Sequence, residues 1–182
     1  MSGYEIRFSG AGGQGLQLCA KLLSAALARE GKTVAASQAY EPTSRGGLSR
    51  SDMVVSDEGA ADYPLVTALD YLVVLDNAAV GVSEGLVRED GLILADARRV
   101  DKLPRGKYRV RQLPFSETAI RLGSERVANV IALSALVGLG GICARETLEQ
   151  IIRAGTPGKF LDLNLEAMQQ GFAMADGAAE AA

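Results

Sequence analysis

The 182-residue chain has the length of one domain and is long enough to bury a substantial core. Hydrophobic residues make up 48% of it and charged residues 23%, a composition that excludes an intrinsically disordered protein. The net charge of −3 gives no global electrostatic reason to expect nucleic acid or an anionic membrane as a partner.

A glycine loop separates the first predicted strand from the first predicted helix. Residues 4–9 alternate between polar and apolar side chains and lead into GAGGQG at residues 10–15, which has the G-x-G-x-x-G spacing of a strand-to-helix turn. Glycines allow the backbone to turn sharply and to approach a ligand closely, and the free N–H groups at the start of the following helix attract anions. The spacing is compatible both with a bound phosphate and with a tight turn that holds no ligand.

The first helix and the second strand complete a strand–helix–strand unit. Apolar residues recur with helical spacing over residues 16–27, and Gly31 ends the helix. Residues 33–37 are predicted to form a strand parallel to the first, joined to it by a right-handed crossover. A dinucleotide-binding domain usually has an acid near the end of this strand, where it holds the ribose. Here the first acid after the strand is Glu41, about 26 residues past Gly15, which argues against a nicotinamide cofactor.

A polar turn follows the second strand. Pro42 on one side and Gly46 and Gly47 on the other bound a short segment with two hydroxyls and one guanidinium, formed by Thr43, Ser44 and Arg45. An arginine fork beside hydroxyls suits a phosphate or carboxylate, either on a small molecule or on a neighbouring subunit. The alternative is a solvated loop with a surface arginine.

The third predicted strand, at residues 49–55, has polar side chains on both faces. Ser49 and Ser51 share a face with Met53, whereas Arg50 and Asp52 lie on the opposite face. We interpret this pattern as a strand buried against another protein rather than in an ordinary core.

Two later strands, at residues 71–75 and 91–96, are apolar and typical of parallel strands covered on both faces. Asp76 is predicted to cap a helix that reaches about Val87. Asp76 and Asp96 follow these strands at the edge where α/β proteins bind ligands, although such residues are more often caps or turn residues.

The C-terminal half is predicted to be mainly helical after one more strand at residues 108–113, which follows a basic loop at 102–107. The predicted helices run from Ser116 to Leu122, from residue 124 or 125 to 139, over 144–154, and over 161–172. The second of them is apolar on nearly every side, so it is either the central buried helix or a subunit contact.

These elements predict an α/β fold: a single Rossmann-like domain over residues 1–176, with a mostly parallel sheet flanked by helices. The Ala- and Gly-rich tail at 177–182 is expected to be frayed. The N-terminus has no recognisable secretory signal, and the most apolar run, 127–139, is too short to span about 30 Å of hydrocarbon. We therefore expect a cytoplasmic protein with no membrane contact.

The side-chain inventory limits the possible chemistry. The chain has no histidine, which excludes Ser-His-Asp and Cys-His catalytic triads. Its two cysteines, Cys19 and Cys143, lie in apolar stretches and are predicted to be buried free thiols, typical of a reducing compartment. Two cysteines without histidine cannot supply the four ligands of an ordinary iron–sulfur cluster or structural zinc site.

Taken together, the motifs resemble those of the gamma subunit, or gamma domain, of 2-oxoacid:acceptor (ferredoxin) oxidoreductases. The resemblance rests on the glycine loop at 10–15, on residues 37–47 with the following 49–52, on residues 55–64, and on residues 127–133. These segments cover almost the whole chain in order, so their combination is far more specific than the glycine loop alone.

The resemblance implies a non-catalytic subunit of a larger enzyme. Such enzymes decarboxylate a 2-oxoacid on thiamine diphosphate, pass electrons through iron–sulfur clusters to a low-potential acceptor, and release an acyl-CoA. It implies that thiamine diphosphate and Mg2+ lie between the alpha and beta subunits, and that 4Fe–4S clusters lie in beta or in a ferredoxin-like delta subunit. The chain itself is then expected to hold no cofactor, no metal and no catalytic residue. The final acceptor is ferredoxin or, through an extra flavin subunit, NAD.

The family's gamma module is also associated with access of coenzyme A. The resemblance therefore makes two segments candidates for a contact with the CoA phosphates or with the alpha subunit: the glycine loop with Gly10, Gly12, Gly13, Gln14 and Gly15, and the polar turn with Thr43, Ser44, Arg45, Gly46 and Gly47. The choice among pyruvate, 2-oxoglutarate, branched-chain and aryl 2-oxoacids belongs to the alpha and beta subunits. A free-standing dinucleotide-binding reductase, motivated by the same glycine spacing, is the alternative, and a flavodoxin-like flavin carrier is a third hypothesis.

Overall fold

A six-stranded mixed sheet forms the centre of the molecule. The computed structural model describes residues 3–40, 46–57, 59 and 63–180. Its strands are β1 (Gly3–Ala11), β2 (Thr33–Tyr40), β3 (Leu48–Ser56), β4 (Leu69–Val74), β5 (Val87–Asp96) and β6 (Arg109–Leu113). Its α-helices are α1 (Leu16–Arg29), α2 (Phe115–Arg121), α3 (Ala128–Gly140), α4 (Arg145–Gly155) and α5 (Gly158–Glu180).

The strand order is β2-β3-β1-β4-β5-β6. Strands β1, β4, β5 and β6 are parallel neighbours, which confirms the predicted α/β class and its parallel core. Strand β3 is antiparallel to both β1 and β2. Strand β2 therefore runs in the same direction as β1, as predicted, but β3 separates the two. The sequence pattern did not reveal this insertion because it depends on a hairpin-like return from β2 to β3.

The two faces of the sheet are covered differently. All five described α-helices contribute to the larger hydrophobic cluster, together with the β1 side chains Ile6 and Phe8. The opposite face is covered by loops and short 3-10 turns, with Leu72 and Ile93 of the parallel strands in a second cluster. Every residue of α3 from Asn129 to Val137 is buried, so α3 is the central buried helix.

Strand β3 is buried inside its own sheet. The side chain of Arg7 on β1 donates two hydrogen bonds to the Asp52 carboxylate, at 2.6 and 2.8 Å, and a third at 2.9 Å to the Ser83 hydroxyl. Arg7, Asp52 and Ser83 are 3%, 6% and 1% exposed. The interpretation that the polar residues of β3 face another protein is therefore wrong for Asp52, since an internal ion pair satisfies it.

The segment between β4 and β5 is not the predicted α-helix. It forms two 3-10 turns, Asn77–Ala79 and Glu84–Leu86, because Val80 is extended and Gly81 has a φ of +81°. Asp76 does cap the first turn, since its carboxylate accepts a hydrogen bond from the Ala78 N–H at 3.0 Å.

The remaining helices differ from the predictions mainly at their ends. Pro114, not Ser116, precedes the first turn of α2, and α5 continues well past Phe172 to Glu180. The frayed tail at 177–182 stays a prediction, and residues 181–182 lie outside the described residues. Both cysteines are free thiols; Cys19 is buried, whereas Cys143 is only half-buried. None of the described helices is long and apolar enough to cross a bilayer.

Candidate functional site

A cleft of about 290 Å³ lies at the edge of the sheet where the parallel strands β1, β4 and β5 end. It is lined by residues 11–14 of the glycine loop, by Leu75 and Asp76, by Asp96, Arg99 and Ser116, and by Glu125, Arg126, Ala128 and Asn129 near the start of α3. This is the position at which open α/β sheets bind ligands.

The glycine loop has the geometry of a strained turn into a helix. Gly13 and Gly15 have φ values of +95° and +76°, and Gly15 is the N-cap of α1. A Cβ on Gly15 would lie 2.2 Å from Nδ2 of Asn129. Both the left-handed backbone and the contact with α3 therefore require glycine here, whether or not a ligand binds.

Gln14 holds the loop to the sheet. Its Oε1 accepts a hydrogen bond from the Ala11 N–H at 2.8 Å, and its Nε2 donates one to the Leu75 carbonyl at 3.1 Å. A Cβ on Gly10 would lie 2.3 Å from the same Oε1. The structure thus gives both Gln14 and Gly10 a structural role, and their proposed contact with a ligand or subunit stays a prediction.

Asn129 fixes the other side of the loop and was not among the predicted site residues. Its Nδ2 donates to the Gly15 carbonyl at 3.2 Å, and its own carbonyl accepts the Cys19 thiol at 3.4 Å. Asn129 is 4% exposed. Asn129 is an amide side chain within an otherwise apolar run of the sequence. Since a buried polar side chain requires a hydrogen-bond partner, this position indicates a structural contact.

The three acids of the cleft all have hydrogen-bond or ion-pair partners. Asp96, which is 1% exposed, accepts hydrogen bonds from the N–H and the hydroxyl of Ser116 at 2.7 and 2.9 Å. Arg99 bridges Asp76 at 3.2 Å and Glu125 at 2.5 Å. Hydrogen bonding to Glu125 raises the pKa of the Arg99 guanidinium. Through these ion pairs and hydrogen bonds, the three acids hold the walls of the cleft together.

Arg126 is the unpaired cation of the cleft. Within the described residues it has no hydrogen-bond or ion-pair partner, and it is exposed. The backbone N–H of Gly13, which lines the same cleft, also has no acceptor in the described part of the chain. A guanidinium and an unsatisfied N–H beside a helix N-terminus favour an anionic group.

The two predicted candidate segments meet at one point. The Gly12 N–H donates a 2.9 Å hydrogen bond to the Gly47 carbonyl, so the end of the polar turn lies against the glycine loop. Gly46 is exposed and has a φ of +87°. Thr43, Ser44 and Arg45 lie outside the described residues, so their proposed contact stays a prediction.

The described side chains offer little reactive chemistry. Burial raises the pKa of both thiols, Cys19 and Cys143, to about 12, so neither is a thiolate nucleophile at neutral pH. Among the described residues, no group of three His, Cys, Asp or Glu side chains could hold a metal ion. The arrangement is suited to binding and positioning an anion.

Comparison with known proteins gives one family. Residues 5–174 match the family model described as pyruvate ferredoxin/flavodoxin oxidoreductase. The chain is 36% identical over 179 residues to 2-oxoglutarate synthase subunit KorC of Methanocaldococcus jannaschii, covering 94% of this chain and 93% of that protein. It is 30% identical over 165 residues to pyruvate synthase subunit PorC of Methanothermobacter marburgensis, covering 90% and 92%.

Solved structures extend the likeness to the fold. The gamma subunit of a keto/oxoacid ferredoxin oxidoreductase from Geobacter sulfurreducens superposes with a TM-score of 0.84 at 38% identity, over 96% of this chain and 99% of that one. The same fold forms part of a longer chain in 2-oxoglutarate:ferredoxin oxidoreductase from Magnetococcus marinus, at a TM-score of 0.85 and 24% identity, covering 97% of this chain and 32% of that one. The sequence match and the fold together show that the chain belongs to the pyruvate ferredoxin/flavodoxin oxidoreductase family, whose members similar to it include gamma subunits of 2-oxoacid:ferredoxin oxidoreductases.

Proposed function

We propose that the chain is the gamma subunit of a thiamine-diphosphate-dependent 2-oxoacid:ferredoxin oxidoreductase complex. The observation that carries this proposal is the end-to-end match to separate subunits of such enzymes, which covers 93% of the KorC chain and 99% of the Geobacter gamma chain. In this role the chain supports and closes the active site, while the partner subunits carry out oxidative decarboxylation of the 2-oxoacid to an acyl-CoA.

The cofactors of the reaction belong to the partner chains. Because the described residues contain no group of three metal-ligating side chains and the chain has only two cysteines, they do not fit a four-cysteine iron–sulfur cluster or the Mg2+ that accompanies thiamine diphosphate. We assign these groups to the alpha, beta and delta or ferredoxin-like subunits. Ferredoxin, or NAD through an extra subunit, is the acceptor, and the complex acts in the cytoplasm.

The cleft is the proposed point of contact with coenzyme A. Arg126 and Gly13 both line it and offer a cation and a backbone N–H donor. Gly47, the last residue of the polar turn, accepts a hydrogen bond from the Gly12 N–H of the glycine loop, and we propose that Thr43, Ser44 and Arg45 contribute to the same contact, with the Arg45 guanidinium as a second cation for a phosphate. The solved Magnetococcus enzyme contains 2-oxoglutarate, coenzyme A and succinyl-CoA, which supports CoA as a substrate of the complex proposed here.

The alternative, a free-standing dinucleotide-binding reductase, is not favoured. In such a domain the strand next to β1 runs parallel to it and ends beside the ligand with an acid for the ribose. Here that place is taken by β3, which is antiparallel to β1, so its carboxyl end lies at the opposite edge of the sheet. Strand β2 contains no acid and is one strand further from the cleft.

Copurification from the native cell tests the proposal. The chain, tagged at its native expression level, is expected to bring brown, cluster-containing partners that reduce a viologen dye when a 2-oxoacid, thiamine diphosphate and CoA are added. Recovery of a colourless chain without partners would contradict it. In a parallel titration, NAD(H) or NADP(H) binding by the isolated chain at micromolar concentration would favour the reductase instead.

A further inference from the structure

The two edges of the sheet differ in charge. Strand β6, at one edge, carries Arg109 and Arg111 among its five residues. Strand β2, at the other edge, has eight residues, TVAASQAY, and no charge. Proteins usually protect a free strand edge from pairing with other chains by charges, prolines or bulges. The β6 edge has such protection, whereas the β2 edge has none.

The outer side of β2 has no strand partner in the part of the chain that the structure describes. Strand β2 is the last strand of the sheet and pairs with β3 in continuous register from Thr33–Ser56 to Tyr40–Ser49. None of its eight residues is buried. Since alternate residues of a strand direct their N–H and C=O groups to each side, β2 presents a row of backbone donors and acceptors with no strand partner among the described residues.

Large apolar side chains lie at both faces of this edge. Tyr40 and Tyr63 are each 70% exposed and Leu65 is 60% exposed. The segment with Tyr63 and Leu65 is held to β2 by a 3.3 Å hydrogen bond from the Ser37 hydroxyl to the Pro64 carbonyl. Because side chains alternate along a strand, Tyr40 belongs to the face opposite to Ser37. Tyrosines are enriched in the centres of protein interfaces.

The C-terminal end of β2 lies level with the glycine loop of the candidate site. Tyr40 and Gly10 are both paired with Ser49, from opposite sides of β3, so Tyr40 lies level with the start of the glycine loop. Two strand spacings separate them, which is about 10 Å. A strand docked outside β2 would therefore lie about 15 Å from β1, with one of its ends level with the start of the glycine loop.

We propose that the outer edge of β2 is a docking site for an extended, uncharged segment of a partner subunit, which adds a strand to the sheet and packs between Tyr40 and Tyr63. The backbone of β2 supplies the affinity, as in other cases of strand addition, and the two tyrosines flank the added strand. This inference rests on the proposed function, because it assigns the surface through which the gamma subunit joins its catalytic partners.

Introducing a positive charge into the uncharged strand β2 tests the inference. Gln38 is exposed on β2, and Gln169 is exposed on α5, so Gln38→Lys and Gln169→Lys form a matched pair. The dissociation constant of each variant for the purified remaining subunits is measured by biolayer interferometry, with the melting temperature of the free variant as a folding control. We expect Gln38→Lys to weaken association at least about 10-fold and Gln169→Lys to leave it unchanged.

A second pair of variants and a hydrogen-exchange experiment on the wild type test the same edge in case Gln38→Lys does not fold. Tyr40→Ser is expected to weaken association about 10-fold, whereas Phe160→Ser, at a 45% exposed aromatic on α5, is not. In hydrogen–deuterium exchange of the wild-type complex, amides of β2 are expected to become protected and those of β6 to stay unchanged.

The outcomes separate two failures. If the wild-type chain does not bind the other subunits, the proposed function fails. If it binds, but Gln38→Lys binds within about 2-fold of it and β2 amides gain no protection, the edge inference alone is overturned. A dimer of the isolated chain that Gln38→Lys abolishes without changing affinity for the partners would also overturn it, since the occupant would be a second copy.

Discussion

The buried ion pair between Arg7 and Asp52 makes the stability of the sheet sensitive to a single charge. Asp52→Asn keeps the shape of the side chain but leaves the Arg7 guanidinium, which is 3% exposed, without its counter-charge. Removing one partner of a buried pair costs about 3–5 kcal/mol, and we expect about 3 because the amide oxygen still accepts a hydrogen bond. For a domain of this size, that corresponds to a fall in melting temperature of roughly 6–12 °C.

Glu149→Gln is the matched control. Glu149 pairs with Arg153 one turn further along α4 at 2.7 Å, with side chains 39% and 52% exposed. Exposed pairs of this kind contribute about 0.3–0.5 kcal/mol, so the control is expected to melt within about 2 °C of the wild type.

Urea and thermal unfolding, followed by circular dichroism, measure both variants. A double variant that replaces Arg7 and Asp52 by Met and Leu is expected to be more stable than Asp52→Asn, since no unpaired charge remains buried. If Asp52→Asn loses no more stability than Glu149→Gln, the ion pair does not hold β1 and β3 together and the reasoning is wrong.

Three further predictions concern the site. Gly15→Ala is expected to destabilise the chain by about 2–4 kcal/mol, because alanine disfavours a φ of +76° and its Cβ would meet Asn129 at 2.2 Å; urea unfolding measures this, and a loss below about 1 kcal/mol would contradict it. In the assembled complex, Arg126→Gln is expected to raise the KM for CoA about 10-fold with little change in 2-oxoacid decarboxylation, whereas Arg29→Gln, at the far end of α1, should change neither; equal effects of both variants would remove Arg126 from the site. The pKa of Cys19 is raised from 9.0 to about 12, so the neutral thiol stabilises the fold fully below pH 9 and this contribution is lost as the pH rises towards 12. The alkaline loss of stability should therefore be smaller in Cys19→Ala, and an identical pH profile would contradict the assignment.

Local patterns in the sequence were sufficient for the class of the fold. The apolar runs of β4 and β5 and the glycine loop before α1 are properties of consecutive residues, and the structure has a parallel core with that loop at its carboxyl edge. The mainly apolar stretch of α3 indicated either a central buried helix or a subunit contact, because a helix with so little polar surface does not lie exposed to solvent, and the structure has it as the buried helix. The order of motifs was sufficient for the family resemblance.

The errors occurred where a residue's environment depends on distant parts of the chain. Asp52 was read as facing another protein because its partner, Arg7, is 45 residues away, and periodicity carries no information about which strand lies alongside. Asn129 was missed as the residue that holds Gly15, from which it is separated by 114 residues. The helix predicted after Asp76 does not form, because Gly81 has a left-handed backbone, and a hydrophobic pattern does not indicate such a conformation.

The sequence by itself thus determined most of the strands and helices, because strand and helix periods are properties of neighbouring residues, with the helix predicted after Asp76 as the exception. Only the tertiary structure decided that β3 lies between β1 and β2, that Arg99 forms ion pairs with Asp76 and Glu125, and that Arg126 is left as an unpaired cation within the described residues. The physical reason is that charges and hydrogen bonds are satisfied by whichever groups folding brings within about 3 Å, and those groups are set by strand order and not by spacing along the chain.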